Sequence, residues 1–247
     1  MSKIIYIDVG THFGQEFKSL FGSKLYLLYP IIRRVIGYYI LRRGIKINFE
    51  TIKNIFQYNN FARQNRRNFL TYFVEANSKI INNSDVYKMA DGVFNCALTN
   101  NSEINLTNLF LVNNDNLGQS SSIFKNKKNV SLKNSIITLG IPTSSFFYEF
   151  KKYIDQIQLE YSVILRLNCE GVEDDVIYAA HEVFKEKLVL ILGSLKDVEE
   201  IKGKPAHNQM QKYIKDNLIP FIFFSSEVYS WEKAHRAILD VLNKHRY

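Results

Sequence analysis

Lys3-Ile4-Ile5-Tyr6-Ile7-Asp8-Val9-Gly10-Thr11-His12-Phe13-Gly14-Gln15-Glu16-Phe17 is the stretch on which the fold turns. Mostly β-branched and aromatic residues lead into Asp8, glycines follow at 10 and 14, and the segment after them can start a helix. Strand, tight glycine turn and helix N-terminus, in that order, open a nucleotide-binding α/β domain. Gly10 carries no Cβ, so the backbone there can approach a ligand closely and take unusual φ/ψ values at little cost. Asp8 falls at the carboxyl end of the first strand, where open α/β sheets bind ligands. The plainer alternative is a tight strand-to-helix turn that touches no ligand.

The whole chain is consistent with such a start. Its 247 residues suffice for one α/β domain with a sizeable core, read here as a single domain over 1–247. Hydrophobic residues at 46% and charged residues at 23% exclude wholesale disorder. The formal net charge of +8 admits nucleic acid, anionic membranes or phosphorylated substrates without selecting one. No nucleic-acid-binding motif is present and the positive charge reads as scattered, so nucleic acid is not expected as a partner, and a nucleic-acid methyltransferase or binding protein stands as an alternative function on the charge alone. Cys96 and Cys169 form neither a CxxC pair nor a His/Cys cluster, so no disulfide framework and no metal site is expected. The chain enters its first strand almost at once and has no apolar run long enough to span a bilayer. The expected location is the cytoplasm.

Downstream, strands and helices alternate. Pro30 suits the first turn of a helix running to about Arg43, and a second helix is expected over Phe49–Asn65. Strands are predicted at 70–75, 92–98, 161–167, 188–192 and 220–224, with helices over 147–157, 174–184 and 231–246. Alternation of this kind predicts an α/β fold with a mostly parallel central sheet covered by helices on both faces. About sixty residues separate Gly14 from Glu75, where a βαβ unit needs only about thirty in all. Residues 22–68 therefore read as a helical insertion after the first βα unit, shaped to serve as a lid.

Four segments also resemble one family. The glycine turn over Ile7–Gly14, the pair Glu75 and Asn77, the segment Gly118-Gln119-Ser120-Ser121-Ser122, and Leu165-Arg166-Leu167-Asn168-Cys169-Glu170-Gly171-Val172-Glu173 occur in the order of the FkbM-type methyltransferase motifs. The resemblance covers about residues 3–17 and 70–180. It implies a class I Rossmann-like fold, S-adenosylmethionine (SAM) as cofactor, and methylation of a hydroxyl on a sugar or glycoconjugate. Asn168 stands where the family has an aspartate, and Arg166 where it has a lysine. An amide is neither a carboxylate base nor an ionic metal ligand, so a non-catalytic relic of the fold is one alternative.

Methyl transfer from a sulfonium needs alignment, a usable nucleophile and protection from water. On this reading Gly10, Thr11 and Gly14 pass under the cofactor and Asp8 attracts its cationic end. Glu75, with Ala76, takes the ribose hydroxyls, Cys96 and Ala97 face the adenine, and Asn168 completes the set. Glu170 is the first candidate for general base, with N-capping of the following helix as its rival role. His12 is the second, with loop packing as the rival. Arg33, Arg34, Tyr38 and Glu173 are candidates for gripping the acceptor. The basic-aromatic stretch 25–43 has two further readings, a peripheral membrane contact and a helix pair packed on the domain or on a second copy in a homodimer.

Overall fold

Every residue of β1 (Lys3–Val9) after Lys3 is buried, because the strand lies in the middle of a sheet covered on both faces. A computed structural model describes residues 2–112, 117, 120–157 and 160–244. Gly118 and Gln119 of the glycine–serine segment, Asn113 and His245 lie outside the described residues. Strand β1 pairs in parallel with β2 (Phe69–Val74) on one side and with β7 (Tyr161–Leu167) on the other. Beyond them lie β3 (Gly92–Phe94), β8 (Leu188–Gly193) and β9 (Phe221–Phe223), again in parallel. The spatial order 3-2-1-7-8-9 reverses direction between β1 and β7, the switch point of a Rossmann-like α/β sheet.

Alternate β1 side chains feed two cores. Ile5, Ile7 and Val9 meet α5 (Thr143–Gln156) and α6 (Glu173–Phe184). Ile4 and Tyr6 meet α1 (Gln15–Phe21), α3 (Phe49–Gln64) and α9 (Trp231–Lys244). The period of two along one strand thus builds a layer on each face.

The crossover from β1 to β2 contains α1, α2 (Lys24–Tyr39) and α3. Ser23 caps α2 by accepting from the Tyr26 N–H, so the helix starts before Pro30, which lies inside it. This corrects the expected start at Pro30. A short α4 (Ser78–Asn83) follows β2, and α7 (Lys196–Lys202) and α8 (Lys204–Asp216) follow β8. The span read as one strand at 92–98 is two. β4 (Ala97–Thr99) leaves the main sheet and joins β6 (Val130–Pro142) and β5 (Asn105–Val112) in a second, three-stranded sheet. Among the described residues no helix is long and apolar enough to cross a membrane.

Candidate functional site

The carboxyl ends of β1, β2 and β7 converge on a cavity of about 40 Å³. Gly10, His12, Glu75, Ala76, Asn168 and Glu170 line it. Cys96 and Ala97 supply an apolar wall, and Ser122 and Ile123, between β5 and β6, close the roof.

Glu75 follows β2 directly and is buried. Its carboxylate accepts the His12 N–H and the Asn77 N–H, each at 2.9 Å. Burial raises its pKa to about 6 against the pull of those two donors. His12 takes a left-handed backbone, φ 51°, and lines the cavity. Burial, then the Arg166 cation, push its pKa down to about 3, so the ring is neutral. Nε2 lies 3.1 Å from the Asn168 carbonyl, which assigns the proton to that nitrogen. Nδ1 is left a bare acceptor, buried and without a partner. Glu170, also left-handed at φ 59°, forms a buried ion pair with Lys127 and lies 3.6 Å from His12 Nε2. Lys127 also holds Asp197 at 2.9 Å.

Several candidate residues have other employment. Asp8 does not face the cavity. It is fully buried and bonded to Arg166 at 2.8 Å, because the two are register partners on β1 and β7. Arg166 lies 2.5 Å from Glu16 and donates to the Gly10 carbonyl at 2.7 Å. Thr11 turns back to donate to the Asp8 carbonyl, closing the turn instead of lining the cavity. Gly14 sits against Val86 as the N-cap of α1. Gly10 lines the cavity, yet the space its missing Cβ leaves is filled by the Asn168 carbonyl and not by a ligand.

Glu173 is buried and accepts the Cys169 and Gly171 N–H groups at 3.1 and 2.8 Å. It therefore clamps the turn before α6, a helix whose N-cap is Val172 and which has no side-chain cap from Glu170 or any other residue. Arg33 and Arg34 line a separate cleft of about 720 Å³ between α2 and the segment after β9. Tyr38 packs edge-on against Tyr39. No residue of 22–68 lines the first cavity.

Two contributors escaped the sequence reading. Lys127 stands in the run Lys125-Asn126-Lys127-Lys128, where charge alone does not mark out one lysine. Arg166 had a signal that went unused: a cation inside a strand otherwise apolar enough to be buried demands a carboxylate on a neighbouring strand. Among the described residues no group of three or more His, Cys, Asp or Glu side chains is placed to hold a metal ion. In comparisons with known proteins, the chain matches no family model, no curated protein and no solved structure.

Proposed function

We propose that this chain is a SAM-dependent methyltransferase acting on a hydroxyl of a sugar or glycoconjugate. The supporting observation is the pairing of Glu75 with His12: a buried carboxylate at the end of the second strand beside a buried imidazole nitrogen that has no partner, both facing one cavity. When bound, the cofactor supplies an electrophilic methyl group. The polar groups fit its nucleoside half. Glu75 has lone pairs free for ribose hydroxyls, His12 Nδ1 accepts one more donor, and Cys96 with Ala97 offers an apolar wall to the adenine.

The volume requires a change of shape. Ligand pockets commonly run from about 300 to 1,000 Å³, against about 40 Å³ here, so the cavity must widen on binding. A ring with a pKa near 3 does not hold a proton at neutral pH, so His12 orients a ligand and does not serve as base. Glu170 remains the group on the cavity wall that can take the proton of an acceptor hydroxyl.

Calorimetric titration with SAM and with its demethylated product tests this reading. Micromolar binding to the wild type and none to Glu75→Ala is the expected result. Because Glu75 ionises through about pH 6, affinity should rise as pH climbs past that value. Glu75→Gln should flatten the rise. Absence of binding on both sides of pH 6 would overturn the proposal.

A further inference from the structure

Helix α2 is apolar on two sides. Leu27 and Ile31 face the core, as an amphipathic helix requires. A second stripe of Leu25, Leu28, Tyr29, Ile32, Ile36 and Tyr39, at helical spacing, faces outward, with Leu25 78% exposed. The turn beyond continues it with Ile40, Leu41 and Ile45, and Phe49 at the start of α3 is 83% exposed.

The charge on this segment has one sign. No acidic residue lies between Glu16 and Glu50, while Lys18, Lys24, Arg33, Arg34, Arg42, Arg43 and Lys46 all do. The positive charge is therefore less scattered than the sequence reading supposed. Among the described residues none of these arginines makes an ion pair, and the buried Arg34 Nε has no partner. Arg33, Arg34 and Arg43 line the 720 Å³ cleft beside the stripe, with Glu227 the acidic residue on its wall. A Cβ on Gly44 would overlap the Arg34 guanidinium, so the turn closes over that arginine and brings its own cations to the same side.

We propose that α2 and the turn after it dock the protein on an anionic lipid bilayer, with the apolar stripe in the interfacial region and the arginine-lined cleft receiving a phosphate headgroup. Charge decides between this occupant and a second copy of the chain. An isologous dimer through this face would set one strongly net-positive patch against another, whereas an anionic membrane neutralises it. Apolar stripe and flanking cations together are what interfacial helices use to lie on a membrane without crossing it.

The test is co-sedimentation of the full chain with vesicles of phosphatidylcholine mixed with phosphatidylglycerol, and with vesicles of phosphatidylcholine alone. Binding to the mixed vesicles only is expected. Ile32→Glu with Ile36→Glu, and separately Arg33→Glu with Arg43→Glu, should each lower it by about tenfold or more. All four side chains lie at the surface, so far-ultraviolet circular dichroism and the thermal midpoint should stay at wild-type values. Failure to bind mixed vesicles, equal binding to phosphatidylcholine alone, or binding indifferent to the isoleucine pair would each overturn the proposal. So would a lipid-free dimer that the isoleucine pair converts to monomer, since the occupant would then be a second copy.

Discussion

Fully buried, the Arg166 guanidinium depends on Asp8, Glu16 and the Gly10 carbonyl for its solvation. Burial pushes the Asp8 carboxyl up to about 6 even so, because the arginine offsets only part of the desolvation. Removing the cation alone strands two carboxylates in the core. We expect Arg166→Met to lose about 3–5 kcal/mol in urea unfolding. Asp8→Asn and Glu16→Gln added to it should restore much of that loss, because a neutral set carries no unpaired charge. A merely additive further loss in the triple variant would show that packing and not charge governs the site. Sequence alone placed Asp8 at the strand end correctly and its partner wrongly. Position along a strand is local information, whereas the neighbour of a central strand is set by residues more than a hundred positions away.

At the scale of elements, the β1–loop–α1 unit was legible because its glycines and period are local. The space beside Gly10 has a use that only the folded chain reveals. Its φ of 73° combines with the Asn168 carbonyl lying where a Cβ would be, so Gly10→Ala should cost about 2 kcal/mol or more without any ligand present. Gly203 provides the control. Its φ of 87° and ψ of 167° lie in a region essentially reserved for glycine, with only Pro205 Cδ at 3.6 Å nearby, so Gly203→Ala should lose about 1–3 kcal/mol from backbone strain alone by chemical denaturation. Equal losses at both positions would remove the steric argument. Strand β6 was not legible at all. Its outer half is exposed and polar, so its extended form comes from pairing with β5 and β4 and not from a buried face. Helix α8 was not read either, although Ala206, Met210, Tyr213 and Ile214 stand at helical spacing and pack on the core.

Across the whole molecule, alternating strands and helices made the parallel sheet readable, while the second sheet and the arginine cleft depended on contacts no pattern announces. Acid response is also a property of the whole. His235 is buried between the two ends of the chain, 2.8 Å from Ser19, and burial lowers its pKa to about 3. The unfolded chain binds its proton near pH 6.5, so this group's stabilising effect is complete above that pH and is lost on acidification. Asp8, Glu75 and Glu173, raised to about 6, 6 and 7, act in the opposite sense and oppose the histidine slope. The stability gap between wild type and His235→Asn should therefore narrow by about 2 kcal/mol between about pH 7 and about pH 5 in urea titrations. A gap independent of pH would mean that His235 titrates in the fold as it does in the unfolded chain. The Asp8–Arg166 pair carries one more implication, for the order in which the protein is made. The two residues are 158 positions apart, so β1 leaves the ribosome long before its central partner emerges. Domains generally fold as units during synthesis, and here the N-terminal end is committed early to a site in the sheet that is completed late.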